Sequence, residues 1–500
     1  VMQQDRRLSN SLTRTASLVS GALITLLTLS GCVHESIFEK PKIQVKSSSA
    51  FSQQRQLMLQ QHPELTEAAL PQHWWQLFND PTLSALEQQL ANNNLDVQIA
   101  LLRIQESQAA LGQAEAAQQP QLNFDANYSR SAISENIPLA KLGAKHHGYN
   151  LWTMGLQASW ELDLWGYLKH LNQAAEANVQ AKIYNQQQIK VSLAAELAKN
   201  YLLLRGAQTQ LATLQNMQQL DQQLVHVYQN KQKNGVATNA DIAQIETLAT
   251  QTRQQVELQQ QQVALLKNSV ALLLGQAPKQ LDEFLGQQIL PINPRQIPIG
   301  LSSDFVKNRP DILQADAELR AALEHVHAAK ADFYPRVGLS AQLGEQAFSL
   351  SEFDSWGSRQ YGIGPTLHLP IFDGGRLKST LALNESREKI AAVQYQQTVL
   401  KAWHEVDNAL IDYQHVQTET QLLQQQLKEN QTTEHVALRN FQQGSYDRAQ
   451  VILPQKQRLN TQLVIVQNRT ASALAIVALY RALGGEGAQQ WSAHMLQEKP

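Results

Sequence analysis

A shift of 209 residues lays the second half of this chain on the first without a gap: Gly166 falls on Gly375, Leu168-Lys169 on Leu377-Lys378, Glu196 on Glu405, Gly235 on Gly444 and Leu274-Gly275 on Leu483-Gly484. Upstream the shift becomes 215, with Ala114 on Ala329 and Pro120 on Pro335, so the first half carries six more residues between its proline and Gly166. An internal repeat constrains the fold more than any local propensity, because both halves must form the same unit. The chain divides into a leader at 1–31, an N-terminal tether at 32–80, a first repeat at 81–276, a linker at 277–309, a second repeat at 310–485 and a tail at 486–500. Pro278, Pro291, Pro294 and Pro298 mark the linker.

Each half reads helix, strand, loop, strand, very long helix, turn, helix. After Pro120, Leu122, Phe124, Ala126 and Tyr128 alternate with Gln121, Asn123, Asp125, Asn127 and Ser129, the period of a two-faced strand. The pattern returns from Trp152 to Leu164, then at Val337, Leu339, Ala341 and Leu343, and again at Tyr361, Ile363, Leu367, Leu369 and Ile371. A soluble one-sided sheet alternates too. Strands of about ten residues with aromatics near their ends favour a membrane β-barrel. Four strands cannot close a barrel, and open edges are not tolerated in lipid. The chain is therefore expected to oligomerise; three copies would give twelve strands and an open lumen, whereas two would give eight.

From Tyr167 to Asn234 there is no proline and one interior glycine, Gly206, which predicts a single helix ~100 Å long. Leu197, Tyr201, Leu204, Ala207, Leu211, Leu214, Met217, Leu220, Leu224 and Tyr228 recur along it every three or four residues, as do Trp403, Val406, Leu410, Tyr413, Val416, Leu423 and Leu427 in the second copy. That spacing means coiled-coil packing. Glutamine, at roughly one residue in seven, suits long polar helix faces carrying little charge. Gly235 and Gly444 are the expected reversal points, and Pro454 is expected to bend the second return helix.

Arg6, Arg7 and Arg14 followed by the apolar run Leu18 to Leu29 read as an export leader. It ends in Leu29-Ser30-Gly31-Cys32, the pattern of a bacterial lipobox, and Cys32 is the only cysteine. The expected product is a chain starting at Cys32 with an N-palmitoyl and an S-diacylglycerol group, without other cofactor or metal. Val33 after the cysteine favours the outer membrane. With 41 Lys+Arg against 43 Asp+Glu, a net charge of -2, and no basic run among aromatics, nucleic acid is not an expected partner.

The segments HWWQLFNDPTLSALEQQLANNNLDVQIA at 73–100, ASWELDLWG at 158–166, NRPDILQADAELRAA at 308–322, AAKADFYPRVGLSA at 328–341 and LPIFDGGRLK at 369–378, with the lipobox, make the chain resemble the TolC-like outer-membrane efflux channels of the NodT/OprM-like lipoprotein subgroup. The resemblance covers essentially the whole mature chain. It implies an α+β membrane protein whose tandem-repeat protomers form a homotrimer, with a twelve-stranded outer-membrane β-barrel continuous with a twelve-helix periplasmic α-barrel. It further implies an equatorial region around the helices, built from 33–80, the linker and the tail. The implied partners are outer-membrane lipid, a periplasmic adaptor and an inner-membrane pump, and the implied activity is export of drugs and other small molecules.

The family closes its channel at the helix turns, which nominates Asp241, Phe441, Tyr446, Asp447, Arg448 and Gln450 around the tips Gly235 and Gly444. Gln450 stands where a second Asp241 would be, so the acidic ring of some family members is incomplete. A solvated first-turn acid is the plainer reading of Asp241. An apolar ring including Phe441 or Val451 is the alternative constriction. No catalytic set is evident: His325-x-His327 points to two helix faces, His404-Glu405 lacks a second histidine four residues on, and Gly484-Gly485-Glu486-Gly487 follows a helix rather than opening one. The chain is not expected to be an enzyme. Two other readings stay open: the duct of a type I protein-secretion system, and a periplasmic coiled-coil adaptor lipoprotein.

Overall fold

The computed structural model describes residues 56–143, 147–300 and 308–485; Cys32, the leader and the tail lie outside them. The first repeat runs α1 (Pro81–Asn93), α2 (Leu95–Ala117), β1 (Gln121–Ser131), β2 (Tyr149–Leu162), α3 (Tyr167–Lys233) and α4 (Asn239–Leu273). The second runs α5 (Pro310–Ala331), β3 (Arg336–Ala347), β4 (Arg359–His368), α6 (Arg376–Gln442) and α7 (Arg448–Ala482). α3 and α6 are both 67 residues, α4 and α7 both 35, and every boundary differs by 209. The six-residue difference falls between the strands, where 132–148 is matched by 348–358.

α3 packs against α2, α4, α5 and α7, and α6 against α5 and α7. Of the ten apolar positions read along α3 between Leu197 and Tyr228, eight are buried, and Leu220 and Tyr228 are partly so. This seam of leucines with Tyr201, Ala207 and Met217 packs against apolar side chains of the neighbouring helices. The lone interior glycine has a packing reason: a Cβ on Gly206 would overlap the Thr470 hydroxyl of α7, so glycine makes room for that side chain between the helices. Pro454 lies inside α7, and the helix continues through it.

The return helices are spliced to the helices that lead into the strands. Asn94, the N-cap of α2, accepts from the backbone N–H groups of Asp96 and Val97 and donates its own Nδ2 to the Leu273 carbonyl at the end of α4, 2.7 Å away. Arg309, the N-cap of α5, donates to the corresponding Ala482 carbonyl at the end of α7. These positions differ by 215 and 209, the two shifts seen in the sequence. Arg309 is buried and also pairs with Asp311 and Glu405, both at 2.7 Å, so its charge is compensated on either side.

Among the described residues, the largest apolar core wraps the middle of α3 and α6 and the ends of α4 and α7. Met58, Leu65, Trp74, Phe78, Leu281, Leu285, Ile297 and Ile299 join Tyr201, Tyr413 and Tyr480 there. Residues 65–66 pair with 297–298 as a short parallel bridge, and Trp74 stacks on Tyr480 at 5.4 Å. Tyr201 donates to Asp80 at 2.6 Å and Tyr413 to Glu64 at 2.9 Å, which satisfies the buried phenol oxygens.

The strands form one antiparallel sheet in the order β1-β2-β3-β4. The alternation in the sequence becomes two chemically distinct faces. Phe124, Leu156, Leu343 and Tyr361 lie side by side across all four strands, and Leu122, Ala158, Ala341 and Ile363 form the next apolar row. Between them run Asn123, Gln157, Gln342 and Gly362, and beyond the Phe124 row Asp125, Gly155, Gly344 and Gln360. At the join between the repeats, a Cβ on Gly155 would lie 2.6 Å from the Leu343 carbonyl and 2.7 Å from Gly344 Cα. Such glycine pairs let a sheet bend sharply, here on its polar face.

Candidate functional site

The apolar face of the sheet is exposed: Phe124 is 65% accessible, Tyr361 83% and Ile363 77%. A soluble sheet would cover such a face with a helix; here none of the described residues covers it. Where the strands meet the helices, Trp165 stacks on Tyr334 at 5.0 Å and donates to the Pro335 carbonyl at 2.8 Å. Arg336 lies 4.0 Å over the Tyr167 ring and bonds Asp332 at 2.6 Å. Aromatic and cationic side chains thus mark the boundary between the apolar band and the helices.

At the other end of the helices, Gly235 and Gly444 take φ of 75° and 76°. Val236 N–H reaches the Lys231 carbonyl and Ser445 N–H that of Asn440, at 2.8 and 2.9 Å, closing both long helices with the same left-handed cap. Each return helix then opens with a capping box. In α4, Thr238 accepts from the Asp241 N–H, and the Asp241 carboxylate accepts from the Thr238 N–H and hydroxyl at 2.8 and 2.7 Å. In α7, Asp447 accepts from the Gln450 N–H and donates its own N–H to the Gln450 side chain, at 3.0 and 2.8 Å. This accounts for glutamine in the place of a second Asp241: Gln450 performs the same N3 task, and the acid has moved to the N-cap, leaving one carboxylate in each box.

The two acids differ in their surroundings. The backbone N–H and then the hydroxyl of Thr238 hold the Asp241 carboxyl below the usual aspartate range, and its bonds stay within its own turn. Burial pushes the Asp447 carboxyl upward, but the Lys231 ammonium, 2.6 Å away, and the Gln450 N–H outweigh it and leave it below that range. Arg448 donates to Gln223 of α3 at 3.2 Å. Phe441 and Tyr446 are partly exposed, each 37% accessible. Val451 is fully buried between helices, so Val451 is not available to line an aperture.

Sequence reading missed a stronger link on the same side. Asp221 of α3, 1% exposed, pairs with Lys456 of α7. It interrupts the leucine register between Met217 and Leu224, and a lone acid at a core-facing position was the available signal. Also unforeseen, His170 of α3 meets Glu324 and His327 of α5. The partner of the Glu324-x-x-His327 pair lies 154 residues from Glu324, beyond any local motif.

Residues 86–276 and 301–485 match the family model described as outer membrane efflux protein. Outer membrane protein OprJ of Pseudomonas aeruginosa is 29% identical over 469 residues, covering 93% of this chain and 95% of that one. The probable outer membrane lipoprotein SilC of Salmonella typhimurium is 28% identical, covering 82% and 87%. Among solved structures, the outer-membrane channel OprN superposes with a TM-score of 0.78 at 27% identity, covering 84% of this chain and 94% of that one. The matched segments coincide with the two repeats that supply the amphipathic sheet and the capped helical turns, and the chain belongs to the outer membrane efflux protein family.

Proposed function

We propose that three copies of this chain close their sheets into a twelve-stranded barrel in the outer membrane, and that their helices form a twelve-position periplasmic barrel below it. The observation that carries this reading is the four-stranded sheet with an exposed apolar face and two outer edges, β1 and β4. Edges in lipid cost several kcal/mol for each unpaired backbone group. Joining β1 of one copy to β4 of the next removes them all. Each copy contributes four helical positions: α3, α6, and the spliced pairs α4 with α2 and α7 with α5. The polar rows bearing Asp125, Gln157, Gln342 and Gln360 then line water.

On this reading the assembly is the exit duct of a tripartite pump. A periplasmic adaptor and an inner-membrane transporter deliver small molecules to the turns at Gly235 and Gly444, which form the rim that opens and closes. Asp241, Asp447, Arg448, Phe441, Tyr446 and Gln450 are the rim candidates, with Lys231 added as the partner of Asp447. The mature chain is anchored by lipid on Cys32; the LSGC pattern supports this, as does the likeness to SilC. The family is one of transport proteins, so its residues position and exclude rather than react.

The deciding experiment is deletion of the encoding gene followed by a drug and toxic-compound susceptibility panel alongside a comparison of secreted proteins. Raised susceptibility with an unchanged secretome is expected. Loss of a secreted protein with unchanged susceptibility would replace efflux by protein secretion.

A further inference from the structure

The first turn of α3 and the last turns of α5 converge just below the strands. His170 Nδ1 lies 2.6 Å from Glu324 Oε2, and His327 Nδ1 lies 3.6 Å from the same oxygen. The two imidazoles meet edge to face with centroids 5.0 Å apart. One ligand atom from each of the three residues lies within 4.8 Å of the others, and no other trio of His, Cys, Asp and Glu among the described residues does so. Local geometry arranges this. Glu324 and His327, three apart, share a face of α5, while His170 is held against Gly166, whose φ of 78° and missing side chain leave room for the ring.

Two imidazoles and one carboxylate form a ligand set suited to zinc and its neighbours, with a fourth position left for water. Bonds of about 2.0–2.1 Å at tetrahedral angles separate ligand atoms by about 3.3 Å. The two distances to Glu324, 2.6 and 3.6 Å, bracket that value, and the three ligand atoms all lie within 4.8 Å of one another. Imidazole ligation disfavours calcium and magnesium, which take oxygen ligands. The three side chains are half-buried, shielded from bulk water yet open to an entering ion.

We propose that His170, Glu324 and His327 form a three-ligand site for a divalent transition metal, with zinc the best-fitting ion, clipping the start of α3 to the end of α5. This departs from the expectation of a metal-free chain. α3 belongs to the first repeat and α5 to the second, so the ion ties the halves together where strands pass into helices. The site stands on its own geometry and does not depend on what the duct carries.

The test uses full-length, detergent-solubilised protein prepared without a polyhistidine tag and stripped with chelator. Titration with zinc chloride should give one ion per chain and a raised unfolding temperature, and cobalt(II) should give the visible absorption of a low-coordinate site. Outer-shell changes at metal sites already cost 10–100-fold in affinity, so His170→Ala, His327→Ala and Glu324→Gln should each weaken zinc at least about hundredfold. His325→Ala should retain binding, because His325 sits two residues away toward Arg387. If the alanine variants do not fold, His170→Gln with His327→Gln keeps polar contact with Glu324 and should still lose the ion. Absence of micromolar zinc binding by the unaltered protein, or undiminished binding by either double or single histidine variants, overturns the proposal.

Discussion

Lys231, in the last turn of α3, donates to the carboxylate of Asp447, which caps the first turn of α7, at 2.6 Å. The contact joins the long helix of one repeat to the return helix of the other beside both reversal points. Lys231→Met should therefore loosen the rim without touching a cap, and single-channel conductance in planar bilayers should rise while trimer yield stays the same. Asp447→Ala should raise it too, with about 1 kcal/mol of added cost from the lost N-cap. Unchanged conductance in both would put the constriction at Phe441 or Tyr446 instead.

The same contact fixes a pH response. The Asp447 carboxyl is depressed by its partners, so its contribution is fully present above the undocked aspartate value of about 4 and is lost as pH falls through the lower, docked value. Conductance should be flat from about pH 5 to 8 and rise only in stronger acid. A transition near neutrality would assign the lock to a different group.

Asp221, buried, and Lys456, 14% exposed, pair farther up the same helices. Asp221→Asn leaves a half-buried ammonium without its counter-charge and should cost somewhat less than the about 3–5 kcal/mol of a fully buried pair. Asp221→Leu with Lys456→Met removes both charges and should recover most of that loss. Thermal unfolding of the three proteins, followed by circular dichroism, gives the comparison; a double variant no better than the single would mean the pair is not coupled.

Leu156 sits in the apolar row between Phe124 and Leu343. If that row faces lipid, Leu156→Arg near the midplane should cost ~2–4 kcal/mol and reduce heat-resistant trimer on gels. A stable inserted monomer would contradict closure by three copies.

Gly344 offers the opposite test, on the polar face. Valine there would drive its Cβ into the Met154 carbonyl and to 2.9 Å from Gly155 Cα, and the sheet could not bend at the join. Gly344→Val should abolish membrane-inserted trimer while α3 and α6 remain folded by circular dichroism. Normal assembly would show that curvature is supplied elsewhere.

Cys32→Ser should remove labelling by radioactive palmitate yet leave a fraction of the protein in the outer membrane, since a closed barrel holds the chain in the bilayer without the lipid. Recovery of all the unlipidated protein as a folded soluble species would favour a periplasmic adaptor.

The helices and strands were legible because their signals are periodic and local. The strand expected from Gln121 begins at Gln121, and the helix expected from Tyr167 ends one residue before Asn234. The repeat extended each reading to its counterpart. The tip was legible only in part: the position of Asp241 was clear, but its bonding to Thr238 became apparent only from backbone geometry. Contacts between distant segments left almost no local trace. Asp221 meets Lys456 across 235 residues and His170 meets Glu324 across 154, and a single sequence records the residues without recording which of them face each other.

The equal lengths of α3 and α6 also say where such a chain can change. Deleting one residue from α6 alone would rotate everything beyond it by about 100° and draw its turn back by about 1.5 Å. The Asp447 contact with Lys231 and the splice between Ala482 and Arg309 would then both miss their partners. Insertions and deletions in the helices are therefore tolerated only as matched events in both halves. The loops between the strands carry no such obligation, and the six-residue difference between 132–148 and 348–358 lies where length is free to drift.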